Sequence, residues 1–202
     1  MISILDYGVG NIGSLVNMLK RLDVESNVIS EPNQVRNSSK LILPGVGSFD
    51  HAMRRLNSVS GLRQALDEVV NQQQTPLLGI CLGMQLLLSK SEEGLESGLD
   101  WIKGTVNKFD VSSGIKVPHM GWNHGVIRKP NALLAGISDK SRFYFAHSYF
   151  AKTLDSSNSL MSTFHGVEFD SVINTKNVYG VQFHPEKSLS FGMRILRNFS
   201  EL

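Results

Sequence analysis

The chain contains a single cysteine, Cys81, so it cannot form an internal disulfide. In a protein of 202 residues that usage points to a reducing, cytoplasmic setting. Charge of one sign is equally scarce: 20 lysines and arginines stand against 18 acidic residues, a formal net charge of +2. So small an excess argues against nucleic acid or a membrane surface as a partner. No apolar run approaches membrane-spanning length, and the opening residues MISILDYG are too short and lack the basic flank of a signal peptide. There is no repeat and no low-complexity segment. Hydrophobic content of 41% and charged content of 19% are ordinary for a soluble globular protein. The length suits one domain, residues 1–202, large enough for a sheet covered on both faces by helices.

Apolar spacing predicts alternating strands and helices in the first half. Met1 to Leu5 reads as a strand, and Gly8-Val9-Gly10-Asn11-Ile12-Gly13 opens a helix with Leu15, Met18, Leu19 and Leu22 on one face. Glu25 to Ser30 and Lys40 to Leu43 read as strands, the latter running into Pro44-Gly45-Val46-Gly47-Ser48. Phe49 to Asn57 and Gly61 to Gln72 read as helices. Leu77, Leu78 and Ile80 then mark a buried strand, and Leu82 to Ser89 a helix. The pattern predicts a doubly wound α/β fold with an open, mostly parallel sheet flanked by helices. From Ser91 to Tyr179 short β-like runs dominate, at Gly104 to Val111, Gly125 to Arg128, Arg142 to Phe145, Ser159 to Phe164 and Glu168 to Ile173, with Asn177 to Phe183 following. They suggest an antiparallel extension of the main sheet. Pro118-His119-Met120-Gly121-Trp122-Asn123 reads as a recognition loop, and Tyr144 to Tyr149 as a strand that ends in polar heads.

Three stretches carry chemistry. Gly79-Ile80-Cys81-Leu82-Gly83 has the G-x-C-x-G form of a nucleophile elbow, a strand-to-helix turn sharp enough to need glycine on both sides of the central residue. It sets the thiol at a helix N-terminus, where unpaired N–H groups favour thiolate. The plainer alternative for Cys81 is a small buried hydrophobe. His184-Pro185-Glu186 places an imidazole and a carboxylate two apart on an extended segment, on one side of the chain, with proline stiffening the pair. A carboxylate there can orient the ring and stabilise its cation, as in a nucleophile–base–orienter triad, and the alternative is a surface ion pair. Gly8 to Gly13 also matches the G-x-G-x-x-G dinucleotide pattern, with Glu31 about 18 residues on, but no second domain remains for hydride chemistry.

Taken together, Asp6-Tyr7-Gly8 through Asn11, PGVGSF, GICLGMQLL, PHMGWN, YFAHSY, GVQFHPEKS and the closing Leu196-Arg197-Asn198-Phe199 resemble the class I, triad-type glutamine amidotransferases. Among these, PHMGWN and YFAHSY are most similar to the glutaminase subunits of imidazole glycerol phosphate synthases. Phe164-His165-Gly166 departs slightly, since a tyrosine before the glycine is expected. The resemblance implies a flavodoxin-like fold and hydrolysis of L-glutamine, with Cys81 as nucleophile, His184 as base and then acid, and Glu186 as orienter. It implies an oxyanion pocket from the backbone of Val46 and Leu82, and substrate contacts from Gly47, Gln85, His147, Ser148 and Tyr149. No metal and no cofactor are implied. The partner would be a (β/α)8-barrel cyclase of histidine biosynthesis, forming a heterodimer through Asn11, Trp122 and Lys187 and receiving the ammonia through a channel. The resemblance also turns Gly8 to Gly13 from a nucleotide loop into a turn near that interface. Paralogous glutaminases that feed sugar-amidating enzymes of surface polysaccharide synthesis share these features and stand as the alternative.

Overall fold

The computed structural model describes residues 1–202, apart from the side chain of Ser113. Its elements begin with β1 (Ile2–Leu5), α1 (Ile12–Arg21), β2 (Ser26–Ile29), α2 (Pro32–Arg36) and β3 (Leu41–Gly45). Next come α3 (Phe49–Ser58), α4 (Leu62–Asn71), β4 (Leu77–Cys81), α5 (Leu82–Leu86), β5 (Lys90–Ser91) and β6 (Gly104–Lys108). The rest are β7 (His119–His124), β8 (Val126–Ile127), β9 (Arg142–His147), β10 (Tyr149–Thr153), β11 (Ser159–His165), β12 (Val167–Thr175), β13 (Val178–Val181) and α6 (Leu189–Glu201).

The order β2-β1-β3-β4-β13 forms a parallel block, and β12, β10 and β11 extend it with antiparallel pairings. Side chains along each strand alternate between the two faces. Leu41, Leu43 and Leu77 join one apolar cluster with α3 and α4, while Ile42 and Leu78 join a second with α1 and α6. This two-sided burial is why the central strands read as continuous apolar runs. It also leaves the carboxyl ends of β3, β4 and β13 at one end of the sheet, where ligands bind in open α/β folds.

Five local expectations change. Pro185–Lys187 turn in a short 3-10 helix capped by His184 rather than running extended, and the His184 ring and the Glu186 carboxylate still meet. The helix after Cys81 stops at Leu86 rather than Ser89, because the Leu86, Leu87 and Leu88 carbonyls accept from the amides of Leu99, Trp101 and Asp100 respectively. The proline-led helix α2 was not expected; a capping box between Glu31 and Gln34 closes its first turn. Residues 119–124 form a strand, not a loop, paired with β9 from His119–His147 to His124–Arg142. This pair is a separate two-stranded sheet, so the antiparallel strands do not all extend the main one. Tyr149–Thr153 is likewise a strand, held between β6 and β12.

Candidate active site

Parallel pairing builds the site. Gly45 at the end of β3 is in register with Cys81 at the end of β4, and Val181 on β13 with Ile80. The loop after β3, the elbow and the segment leading to His184 therefore meet, although they lie far apart in sequence. Cys81 has φ 55° and ψ −110°, a sparsely populated conformation that costs about 1–3 kcal/mol and persists only where its surroundings enforce it. The enforcement is close packing under the turn. A Cβ on Gly79 would lie 2.6 Å from the Gly83 carbonyl oxygen, and one on Gly83 would overlap the carbonyl oxygen of Leu43. The turn leaves the cysteine 6% exposed, bordering a cavity.

The His184 ring faces two partners. Its Nδ1 lies 2.8 Å from Glu186 Oε1, and Cys81 shares the cavity wall with it and is its other electrostatic partner. Backbone contacts fix its place: the His184 amide donates to the Tyr144 carbonyl at 2.9 Å, and the Ser188 hydroxyl donates to the His184 carbonyl at 2.6 Å. Burial disfavours a charged ring here. The nearby Cys81 sulfur, the bond to Glu186 and the negative charges on both outweigh it, pushing the imidazole up to about 10. Glu186 is itself sealed in, with its second oxygen, Oε2, buried and unpartnered among the described residues.

The raised imidazole makes stability depend on pH in a definite direction. Because the folded ring holds its proton more tightly than a free one, its contribution is complete below about 6.5 and disappears as pH rises through about 10. Urea midpoints of the parent are expected to fall across this interval more steeply than those of a His184→Gln variant. Equal slopes would show that folding does not favour the protonated ring.

A cavity of about 270 Å³ opens beside the sulfur, bordered by Val46, Gly47, Cys81, Leu82, Gln85, His147, Ser148, Tyr149 and His184. Its size suits a small polar molecule better than a dinucleotide. One bordering residue was not anticipated. Glu93 lines the cavity and accepts a 2.8 Å bond from the Phe49 amide. Burial raises its carboxyl above the usual range, partly opposed by that bond and reinforced by nearby Asp50. In sequence it sits in the polar run Ser91-Glu92-Glu93-Gly94, which looks like a solvated turn. The loop after β3 is tied back to the N-terminal segment by buried Tyr7, whose hydroxyl donates to the Pro44 carbonyl at 2.7 Å. Burial pushes that phenol far above its ordinary value, so it remains a donor.

Two of the bordering side chains have less freedom than their types suggest. The Gln85 amide nitrogen donates to the Tyr149 carbonyl at 2.9 Å and to Gln182 Oε1 at 3.1 Å, leaving only its oxygen for a ligand. His147 uses both ring nitrogens, Nδ1 toward the Tyr149 carbonyl at 2.7 Å and Nε2 toward His119 Nδ1 at 2.9 Å. Its imidazole is thus unavailable to a ligand. Burial holds the His147 ring near 3 and the His119 ring near 4, so both are neutral at ordinary pH. Among the described residues no group of three or more His, Cys, Asp or Glu is placed to hold a metal ion.

Asn11, Trp122 and Lys187 stand outside the cavity. Trp122 is 46% exposed, and its ring meets Tyr144 edge-on at 6.0 Å. The Lys187 ammonium sits 5.6 Å above the same Tyr144 ring, and Asn11 is exposed at the start of α1. No helix among the described residues is long and apolar enough to cross a membrane.

Residues 3–201 match the family model described as glutamine amidotransferase class-I. The chain is 47% identical over 199 residues to imidazole glycerol phosphate synthase subunit HisH 2 of Methanococcus maripaludis, covering 98% of each chain. It is 46% identical over 205 residues to imidazole glycerol phosphate synthase subunit HisH of Bdellovibrio bacteriovorus, covering all of both. Among solved structures, a crystal structure of a glutamine amidotransferase superposes with a TM-score of 0.77 at 18% identity, covering 99% of this chain and 97% of that one. The PurLQS structure from Thermotoga maritima gives 0.73 at 16% identity, covering 99% and 97%. At such identities the two structures speak to the fold alone.

Proposed function

This chain belongs to the class-I glutamine amidotransferase family, and from that premise we infer that it is the glutaminase subunit of an imidazole glycerol phosphate synthase. Full-length identity of 47% and 46% to two relatives bearing that subunit's name supports the reading. On the chain itself, the carrying observation is that Cys81 and His184 border one amino-acid-sized cavity, with the His184 ring hydrogen-bonded to Glu186 at 2.8 Å. Residues 1–202 act as one unit in this account.

The geometry supports the following reaction. Substrate glutamine enters with its side-chain amide over Cys81. The thiolate attacks the amide carbon, a C–S bond forms, and the carbonyl oxygen becomes an oxyanion. The backbone N–H groups of Leu82 and Val46 receive that charge; both residues border the cavity beside the sulfur. His184, held as its cation, gives its proton to the nitrogen, and the C–N bond breaks to release ammonia. The neutral ring then takes a proton from water, whose oxygen attacks the thioester carbon, and the C–S bond breaks to free glutamate and restore the thiolate. Glu186 keeps the ring aligned and balances its charge. Gly47, Ser148 and Tyr149 hold the substrate's backbone ends, with the Gln85 oxygen as a further acceptor. His147 contributes through its main chain, since its ring is committed elsewhere. Glu93 is the natural partner for the substrate's ammonium group, a role its half-buried carboxylate and position on the wall support.

Both relatives are named as subunits of a synthase, which supports use of the ammonia by a partner. In this reading the partner is a (β/α)8-barrel cyclase that makes imidazole glycerol phosphate and aminoimidazole carboxamide ribotide, and the assembly works in the cytoplasm. Exposed Trp122, Lys187 and Asn11 form its docking face. Tyr7 ties the Pro44 loop to the segment leading into Asn11, which gives docking a route to the oxyanion pocket. Glutamine hydrolysis by the isolated chain and by the assembled complex tests this. The complex is expected to be faster by about tenfold or more, and equal rates would remove partner control. Restored growth of a histidine auxotroph supplies the pathway test; failure there with intact glutaminase activity would point to the polysaccharide paralogues.

A further inference from the structure

Gln182 has no part in the reaction described so far, yet it is wholly buried and directed at the nucleophile. It follows Val181, the register partner of Ile80, and so lies level with Cys81 across two parallel strands. Its Nε2 is 3.8 Å from Cys81 Sγ, a hydrogen-bonding separation for sulfur. A carboxamide's two ends look alike, so its direction must be settled by its neighbours.

Those neighbours leave one choice. The Tyr149 carbonyl can only accept, and it receives N–H bonds from His147 Nδ1 at 2.7 Å and Gln85 Nε2 at 2.9 Å. The second proton of Gln85 Nε2 goes to Gln182 Oε1 at 3.1 Å. With its oxygen occupied there, Gln182 turns its NH2 to the sulfur. The same logic sets the ring tautomers. His147 donates from Nδ1, so its Nε2 accepts from His119 Nδ1 at 2.9 Å. His119 Nε2 then accepts from Asn123 Nδ2 at 3.1 Å, and that amide also donates to the Phe164 carbonyl at 3.0 Å. Two main-chain carbonyls thus fix the donor directions of the five side chains in this series, Asn123, His119, His147, Gln85 and Gln182.

We propose that Gln182 is a catalytic residue that donates a hydrogen bond to the Cys81 sulfur and favours its thiolate, and that Gln85 is the positioning residue holding Gln182 in the donating orientation. The proposal rests on Cys81 being the nucleophile. Other ionisable groups near the sulfur are His184, with Glu186 behind it, and Glu93 and His147 on the cavity wall; all stay in place in the test.

Because Cys81 is the only cysteine, alkylation of the full-length chain by iodoacetamide reports this thiol alone, without glutamine present. In Gln182→Met, which keeps the side chain's length and removes the donor, the pH of half-maximal alkylation rate is expected to rise by about one unit. Turnover of glutamine should fall about tenfold with KM changed by less than about twofold. Gln85→Met should shift the alkylation midpoint in the same direction by less. If Gln182→Met does not fold, as judged by circular dichroism, Gln182→Glu carries the test: it places an acceptor against the sulfur and should raise the midpoint. Folded variants with the parent's midpoint would overturn the role of Gln182. A parent whose Cys81 reacts no faster than a free thiol at neutral pH would instead overturn the assignment of the nucleophile.

Discussion

Cys81→Ala is expected to lower glutamine hydrolysis by about four orders of magnitude or more, the scale seen when a covalent nucleophile is removed from a hydrolase. Alanine leaves the oxyanion donors, Glu93 and the imidazole–carboxylate pair in place, but nothing can form the thioester. Both residues are small and face the same backbone strain, so the fold should persist, as circular dichroism would show. A diazo-ketone analogue of glutamine should add once to the parent at residue 81 and not at all to the variant, read by mass spectrometry. Added ammonium salts should restore synthesis by a complex carrying the variant, because only the supply of ammonia is lost. A variant within tenfold of the parent in glutamate release would rule out covalent catalysis at this position.

Gly83→Ala is the largest expected effect on stability. Its methyl group would overlap the Leu43 carbonyl oxygen and crowd the Pro44 backbone. Neither neighbour is the movable tip of a side chain, so α5 would have to lift from β3. We expect a loss of at least about 3 kcal/mol in urea unfolding, at the upper end for overpacking, with activity reduced because the elbow is displaced. Gly13 is the matched control. It lies within α1 with no neighbour inside 4 Å of an added Cβ, and alanine there should stabilise by about 0.5–1 kcal/mol through helix propensity. The two substitutions are chemically identical and should have opposite signs. A near-neutral Gly83→Ala would mean that the close packing beneath Cys81 does not hold the turn.

The sequence was most informative where causes are local. G-x-C-x-G, the alternating strands and helices, and His184-Pro185-Glu186 all depend on near neighbours. That Cys81 and His184 meet depends on parallel pairing of β4 with β13, which no local pattern encodes; resemblance to a family had to supply it. Residues 119–124 looked like a loop because proline and glycine interrupt them, and they become a strand only through pairing with β9. Glu93 was hidden by its setting in a polar run, since its burial comes from the fold. For His147 the position at the cavity was legible by resemblance, but the commitment of its ring to Tyr149 and His119 was not. Local composition gives a residue's type and rough exposure, whereas the direction in which it donates belongs to its partners.

Charge separates the imidazoles of the cavity wall and of the layer behind it into two kinds. His119 and His147 are kept without charge by burial, while His184 is kept charged by the acid and the sulfur beside it. A proton arriving from solvent or from a consumed substrate thus has a single address among these three rings. Acid–base traffic is confined to the one that touches the nucleophile, and the other two serve as fixed masonry around it.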